Sequence, residues 1–344
     1  MTKEVYYGDY LQLDKILEAQ QPESALAGHE AHDEMLFIIV HQAYELWFKQ
    51  ISHEMRSILA ILGKPQVDDN SPDIFTVVHR LKRITTIWQL AIQQVDVIET
   101  MTPLDFLDFR DQLRPASGFQ SYQFKMLEAM MGLKFADRHG KEFYQRHLRP
   151  EHIAMIDAIE QQPSLIELVN KWLARMPFFD LTYWQGATVD SREEVARHPF
   201  WQAYRQAYRN TLQEHDQASL QSFEQVFFSG EATGRLSAAA NRSALFIMIY
   251  RDYPLLQIPY QLLDTLIEID ELMTTWRTRH IAMVRRMIGD RTGTGGSSGA
   301  QYLKESSDKH VIFSELASLS LFLVQRAQVP VLPEKLQQKL GFNL

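Results

Sequence analysis

The chain has 344 residues, a hydrophobic content of 45%, a charged content of 23% and a net charge of -8, which is typical of a globular protein with a substantial core. The acidic balance and the lack of a basic block argue against nucleic acid as the main partner, since phosphate binding needs clustered Lys and Arg. The absence of cysteine excludes disulfides, thiolate metal sites, iron–sulfur clusters and thiolate-ligated haem.

Hydropathy gives no sign of a membrane or secretory segment. The first twenty residues have no apolar signal core, and no apolar run approaches the roughly 18 residues of a membrane span. We therefore expect a cytoplasmic protein with no membrane contact. Apolar residues recur at helical spacing along nearly the whole chain, with almost no strand alternation. This pattern predicts an all-α fold, a multi-helix bundle in one domain over residues 1–344.

Two long helices are predicted in the N-terminal part, over 33–62 and 73–101, after a short helix at 8–20. Asp33 is expected to cap the first long helix, since its carboxylate can accept N–H groups of the first turn. Side chains that share the apolar face of this helix are Phe37, His41, Tyr44, Phe48 and Ile51. Side chains expected to face inward from the second are Phe75, Val78, Leu81, Ile84, Trp88 and Ile92.

Beyond residue 101 the pattern is less even. The stretch RPASG at 114–118 breaks the chain before another helix that begins near Phe119. The middle of the chain, 135–258, is weakly patterned, with helical pieces predicted at 151–175, 192–216 and 218–228. A closing helix is predicted over 311–327.

One stretch, 261–299, combines a long amphipathic helix with a loop rich in Gly, Ser and Thr. His280 lies on the apolar face of that helix. A lone histidine in such a position is more often a hydrogen-bonded core residue than a ligand. It can also be an axial ligand to haem iron, with nearby arginines for the haem propionates: Arg277, Arg279, Arg285 and Arg286.

Further residues favour the presence of a binding site. His41 is a second histidine on the apolar face of another long helix, which favours a site between the two. Arg110 is flanked by aromatic residues, with Phe106 one helical turn before it. Arg110 could pair with a neighbouring aspartate as plain structure. It could also clamp a substrate carboxylate bidentately, with Phe106 against the apolar part of the substrate.

Together these motifs resemble the tryptophan 2,3-dioxygenase family. The matching stretches occur in family order and span nearly the whole chain: YYGDYLQLDKIL (6–17), HDEMLFIIVHQAYELWFKQI (32–51), FLDFRDQLRPASGFQSYQF (106–124) and LMTTWRTRHIAMVRRMIGDRTGTGGSSGAQYL (272–303). The last is long and specific. The resemblance implies an all-helical homotetramer with haem b, ferrous in the active form. It also implies insertion of both atoms of O2 into the indole of L-tryptophan to give N-formyl-L-kynurenine, the first step of the kynurenine pathway.

The resemblance carries over to individual side chains. His280 matches the proximal haem ligand, and His41 matches the distal histidine that contacts the indole N–H. Phe37 matches an aromatic wall of the indole pocket. Arg110 matches the clamp for the substrate carboxylate, and Phe106 its aromatic neighbour.

Further matches lie in loops and at the N-terminus. Ser117 and Gly118 match the turn beside the haem and the bound ligand, and Thr294 matches the loop hydroxyl that helps hold the amino-acid head group. Lys125 departs from the pattern, because many relatives have Arg there. The residues that match contributions from a neighbouring subunit lie in the segment 1–20 and are Tyr7, Tyr10 and Leu11.

Two other functions are compatible with the same residues. One is a related haem-dependent oxygenase that acts on indole or a tryptophan derivative and inserts a single oxygen. The other is a helical haem-binding protein without catalytic activity. A helical scaffold with no haem, in which His280 is only a core residue, is the remaining alternative.

Overall fold

The computed structural model describes residues 4–65, 67, 71–138, 147–184, 195, 197–213, 216–229, 234–289, 291 and 310–341. Every regular element in these ranges is a helix, which confirms the predicted all-α class. The α-helices in chain order are α1 (Tyr7–Leu11), α2 (Leu13–Leu17), α3 (Glu23–Leu26), α4 (His32–Leu62), α5 (Pro72–Ile98), α6 (Pro103–Leu107), α7 (Tyr122–Met131), α8 (Pro150–Glu160), α9 (Leu165–Ala174), α10 (Pro199–Arg209), α11 (Gln217–Phe228), α12 (Ala238–Ile249), α13 (Pro254–Ile288), α14 (Ser314–Ser318) and α15 (Glu334–Leu340).

Three long helices form the frame of the molecule. α5 packs along α13 on one side and along α4 on the other, and α7 packs against α4. Polar side chains cross the α4–α5 contact: the Tyr44 hydroxyl donates to the carbonyl of Ala91 (3.0 Å), and Gln94 Nε2 donates to the carbonyl of Val40 (2.7 Å). Each fully buried aliphatic side chain between these helices contributes about 1.5–3 kcal/mol. The helices are thereby held in one register, which fixes the side chains they present to the interior.

The start of α5 follows from local chemistry. The Ser71 hydroxyl accepts from the Asp73 amide at 3.3 Å, and Pro72 occupies the first helical position, where its missing N–H costs nothing. The buried stripe begins at Ile74, which is fully buried, and Phe75 is 62% exposed. The prediction that Phe75 faces inward is therefore wrong. One residue along a helix turns the side chain by about 100°, which is enough to move Phe75 from the core to the surface.

α4 begins differently from the prediction. Its N-cap residue is Ala31, with no side-chain cap bond, and Asp33 lies inside the first turn. There its charge favours the positive end of the helix dipole without capping it. The neighbouring Glu34 is buried and accepts from the backbone amides of Glu23 (2.8 Å) and Ser24 (2.9 Å). Glu34 thus fastens α3 to the start of α4.

Two of the predicted helices are interrupted. The stretch 8–20 forms α1 and α2, separated by Gln12 in a left-handed conformation with φ 53°. The single closing helix predicted over 311–327 is wrong: α14 is short, a 3-10 helix covers Leu319–Phe322, Leu323 is extended, and a separate 3-10 helix covers Arg326–Gln328. The Asp270 carboxylate accepts from the backbone amides of Ile312 (2.9 Å) and Phe313, which occupies the amides at the start of the predicted helix.

The middle of the chain builds a second aromatic part of the core. The stretch 151–175 is divided into α8 and α9 at Pro163, and the stretches 192–216 and 218–228 contain α10 and α11. α9 and α11 both pack on α12. The fully buried Trp201 of α10 stacks on Phe227 of α11, with ring centroids 5.4 Å apart. This region packs against the three-helix frame, since α9 contacts α4 and α12 contacts α13.

The central helix α13 is longer than predicted, because it begins at Pro254 and not at 261. It ends at Gly289, whose φ of 58° and ψ of -136° suit a residue without a Cβ atom. Among the described residues, none of the helices combines the length and the apolar character that a membrane crossing requires.

Candidate active site

A cavity of about 270 Å³ lies between α4, α7, α13 and the segment that joins α6 to α7. Its wall is mainly apolar and aromatic, with a few polar side chains. The residues that carry the arguments below are Phe37, His41, Phe106, Arg110, Ser117, Gly118, Phe124, Lys125, Glu128, Trp276, Arg277, His280 and His310. Seven of the predicted site residues, from three separate stretches of sequence, therefore meet in one cavity.

His41 projects from α4 with its tautomer assigned by a hydrogen bond. Its Nδ1 lies 2.7 Å from the carbonyl oxygen of Phe37, and because a carbonyl only accepts, Nδ1 carries the proton. Nε2 is then an acceptor in the neutral ring. Burial lowers the pKa of His41, against smaller opposing effects of the Phe37 hydrogen bond and of Glu45. The ring is therefore neutral at neutral pH.

His280 is the second imidazole of the cavity, and it lies on α13. Burial lowers the pKa of His280 to about 4, with a smaller contribution from His41. Its ring lies nearly parallel to the indole of Trp276, with centroids 5.4 Å apart and an interplanar angle of 12°. Within the described residues, neither ring nitrogen of His280 makes a hydrogen bond. His280 thus presents a neutral imidazole whose orientation is set by stacking, and which can offer a nitrogen lone pair.

Aromatic rings form the wall beside His41. The Phe37 ring lies 4.1 Å from the His41 ring, 5.7 Å from Phe106 and 5.6 Å from Phe109, measured between centroids. Phe106 and Phe109 meet edge to face at 5.3 Å. A flat aromatic ligand fits such a wall, because ring pairs at these distances add about 0.5–1.5 kcal/mol beyond their buried area.

Arg110 supplies a cation next to this wall. It opens the 3-10 helix Arg110–Leu113 and is only 7% exposed. The preceding helix α6 is fixed by a capping box, in which Asp105 accepts from the amide of Thr102 (2.8 Å) and the Thr102 hydroxyl accepts from the amide of Asp105 (3.3 Å). A buried guanidinium in an aromatic cavity can bind a carboxylate through two parallel N–H donors.

The turn at Ser117 and Gly118 borders the cavity. Ser117 caps the 3-10 helix Gly118–Gln120: its hydroxyl accepts from the Phe119 amide (3.4 Å), and Gln120 accepts from the Ser117 amide (3.3 Å). This reciprocal pair holds the backbone of the turn against the cavity. The backbone of Gly118 has open space beside it, since no heavy atom lies within 4 Å of the position that a Cβ atom would occupy.

The far end of the cavity carries an ionic cluster. Glu128 of α7 is fully buried and contacts Lys125 (3.2 Å), Arg138 (2.6 Å) and Arg277 (2.9 Å). Of the four arginines predicted near His280, only Arg277 lines the cavity. Arg279 pairs with Asp96 (2.6 Å) on the side of α13 that faces α5.

Arg285 and Arg286 are exposed. Positions 285 and 286 do not share the face of residues 277 and 280, because successive residues on a helix are rotated by about 100°. The prediction that all four arginines surround a single site is therefore wrong for three of them.

Some predicted site residues do not reach this cavity. Tyr7 and Tyr10 are 71% and 76% exposed, and Leu11 is partly exposed. None of the three lines the cavity of its own chain. Thr294 and most of the loop 290–299 lie outside the described residues.

Sequence reasoning missed Glu128 and His310 as parts of the site. Lys125 and Glu128 are three positions apart on a helix, a spacing that is common for surface ion pairs. The available signal was that Glu128 interrupts an otherwise apolar run, KMLEAMM. His310 is distant in sequence from every other cavity residue, so only the tertiary fold could place it there.

The chain is similar over nearly its whole length to proteins of one family. A family model described as tryptophan 2,3-dioxygenase matches residues 1–323. A protein of Alteromonas mediterranea named tryptophan 2,3-dioxygenase is 43% identical, with 98% of each chain covered. Tryptophan 2,3-dioxygenase B of Danio rerio is 42% identical over 95% of this chain and 84% of its own. A protein of Dictyostelium discoideum named tryptophan 2,3-dioxygenase is 38% identical over 99% of this chain and 89% of its own. The chain therefore belongs to the tryptophan 2,3-dioxygenase family.

Proposed function

We propose that the chain is a haem-dependent dioxygenase that converts L-tryptophan and O2 to N-formyl-L-kynurenine, the opening step of tryptophan catabolism by the kynurenine pathway. The observation that carries the proposal is one aromatic cavity that contains two neutral imidazoles, His41 and His280, and the buried guanidinium of Arg110. Family membership supports the substrate and the reaction.

The donor set of the cavity fits haem b. His280 is a neutral imidazole, and a neutral ring has a nitrogen lone pair that would bind the haem iron. Aromatic and aliphatic side chains would cover the porphyrin faces. Lys125 and Arg277 at the cavity end would pair with its propionates, since both carry hydrogen-bond donors and a positive charge.

When bound in its ferrous form, the haem would supply the activation of O2 that the reaction needs. The protein side chains would position the substrate. Arg110 would hold the carboxylate of L-tryptophan, and Phe37 and Phe106 would fix the plane of the indole. Holding the substrate in a reactive geometry can remove about 7–11 kcal/mol from the barrier, because the entropy of encounter is lost on binding.

His41 would act on the indole N–H. With Nδ1 bonded to the Phe37 carbonyl, the unprotonated Nε2 is available as a hydrogen-bond acceptor. It would restrain the indole N–H during addition of oxygen to the neighbouring double bond. The proton can stay on the indole nitrogen in this role, so His41 is proposed to orient the substrate first of all.

The remaining predicted contacts complete the pocket. Ser117 and Gly118 border the cavity and would lie beside the haem and the bound ligand. Thr294 would hold the amino-acid head group. The exposed N-terminal residues would enter the pocket of a neighbouring subunit: Tyr7, Tyr10 and Leu11.

The reaction is tested by reducing the haem-loaded protein anaerobically and adding L-tryptophan with isotopically labelled O2. We expect N-formylkynurenine in which both inserted oxygen atoms carry the label. A product with one labelled oxygen would instead indicate a mono-oxygenating relative. A protein with a Soret band but no turnover would be a non-catalytic haem protein, and a protein that stays colourless with haem supplied would be a helical scaffold.

We further propose that the chain forms a homotetramer. A groove on the outer face of α4 and α5 supports this proposal. Its apolar side chains include Leu46, which is 54% exposed, Leu90, which is 40% exposed, and the partly buried Trp47. Burying such a patch against a second copy removes apolar surface from water at about 25 cal/mol per Å².

Substituting Leu46→Glu within this groove is expected to lower the molar mass in solution below that of a tetramer, because a buried, unpaired carboxylate is costly. Light scattering during gel filtration measures the mass. Met155→Glu is the matched control, since Met155 is 49% exposed but lies on α8, outside the groove. A tetramer that survives Leu46→Glu would place the interface elsewhere.

A further inference from the structure

A buried cluster of charged side chains surrounds Glu128 at one end of the cavity. Glu128 Oε2 accepts from Arg138 Nη1 (2.6 Å) and Lys125 Nζ (3.2 Å). Glu128 Oε1 accepts from Arg277 Nη2 (2.9 Å) and lies 3.6 Å from His310 Nδ1. We call these five residues the Glu128 cluster. It joins α7, the segment after α7, α13 and residue 310 through one carboxylate.

Three of the side chains around Glu128 are cations. The three cations Lys125, Arg138 and Arg277 share the carboxylate of Glu128, and Glu160 lies 3.7 Å from Arg138 as the second carboxylate. His310 is mainly neutral, because burial lowers its pKa against an opposing effect of Glu128. Burying ions is costly unless they are paired, so the charge of Glu128 stabilises the cations around it.

Glu128 is held in its charged form. Burial raises the pKa of Glu128, but Lys125, His310, Arg138 and Arg277 outweigh this effect and keep the pKa well below its usual value. Lys125 and Arg277 line the cavity together with Glu128. The carboxylate therefore stands between two cations that face the space where a cofactor would bind.

We propose that Glu128 is a positioning residue that holds Lys125 and Arg277 together at the cavity end and, through its own negative charge, sets the reduction potential of the bound haem. This inference rests on the proposed haem site. It assigns to Glu128 an electrostatic role that differs from ordinary ion-pair stabilisation, because the carboxylate faces a redox centre.

The sign of the effect follows from electrostatics. Reduction of haem iron adds one electron, and a nearby negative charge disfavours that addition. Removing the charge of Glu128 therefore raises the reduction potential, and removing the charge of Lys125 lowers it. A unit charge at the edge of a buried cavity changes the equilibrium constant for reduction by roughly tenfold, which corresponds to about 59 mV for one electron.

The test is a redox titration of the haem-loaded protein and three variants, followed by the Soret band. We expect a higher potential in Glu128→Gln, a lower potential in Lys125→Met, and a value close to that of the original protein in the double variant. A purely structural role would not produce shifts of opposite sign that cancel. Unchanged potentials, or shifts of the same sign in both single variants, would overturn the inference.

A matched control distinguishes the effect of a carboxylate at the cavity from the effect of any buried carboxylate. Glu54 is another buried carboxylate, paired with Arg83 (2.8 Å), and it does not line the cavity. Glu54→Gln is therefore expected to leave the potential unchanged, and a shift equal to that of Glu128→Gln would overturn the inference. If Glu128→Gln does not fold, Lys125→Met decides it, because an unchanged or higher potential in that variant would overturn the inference. A starting protein that binds no haem would refute the proposed function instead.

Discussion

Replacing His280 with alanine is expected to give a folded protein that no longer holds haem and no longer converts L-tryptophan. The His280 imidazole has no hydrogen bond within the described ranges and faces a cavity, so its removal leaves no buried partner unpaired. The fold should therefore persist while the side chain that would hold the haem iron is lost. The measurement is the Soret absorbance after reconstitution with haem, with helix content followed by circular dichroism.

The design of this experiment contains its own control. His41→Ala removes the other imidazole of the same cavity and is expected to retain the Soret band while turnover falls. Free imidazole added to His280→Ala should restore part of the haem absorbance, because a small ligand can occupy the space of the missing ring. Normal haem content and turnover in His280→Ala would contradict the assignment of this residue.

Helical periodicity was sufficient for the parts of the fold that depend on local spacing. The apolar stripes of α4, α5 and α13 repeat over many turns, so errors at single positions do not alter the helix. Phe75 shows the limit of this reasoning. Its apolar character predicted burial, but the helix phase set by Ile74, Val78 and Leu81 places it on the surface.

The prediction of one helix over 311–327 is wrong for a different reason. Its apolar spacing is compatible with a helix, but the Asp270 carboxylate of α13 accepts from the backbone amides of Ile312 and Phe313, and the α-helix begins only at Ser314. Burial raises the pKa of Asp270 to about 6, which reflects how deeply this contact lies. A tertiary contact from a residue 42 positions away cannot be read from the pattern within the stretch.

The residues of the candidate site also fall into two groups, those that the sequence could predict and those that it could not. His41, Phe106, Arg110 and His280 could be selected from the sequence, because histidine or arginine amid aromatic residues is uncommon and the family resemblance orders them. The Glu128 cluster could not be selected. Glu128 and Arg277 are 149 residues apart, so the sequence does not show that their side chains meet.

Substituting Arg110→Ala is expected to raise the KM for L-tryptophan by roughly 10- to 150-fold with a smaller effect on kcat. Hydrogen bonds to a charged group contribute about 1.5–3 kcal/mol, and this converts to the stated range at 1.4 kcal/mol per tenfold. The contact to the carboxylate is made both in the bound substrate and in the transition state, so its loss weakens binding more than the chemical step. The effect is measured by steady-state kinetics on samples with the same Soret absorbance, so that their haem content is equal.

Two comparisons make this assignment specific. Arg110→Lys keeps the charge but loses the planar pair of donors, so it should recover only part of the affinity. Tryptamine has the indole and the amine of tryptophan but no carboxylate. Its affinity should be nearly the same in the original protein and in Arg110→Ala, because the guanidinium then has no carboxylate to bind. An equal loss of affinity for tryptamine and for L-tryptophan would mean that Arg110 supports the shape of the aromatic wall, and that another group binds the substrate carboxylate.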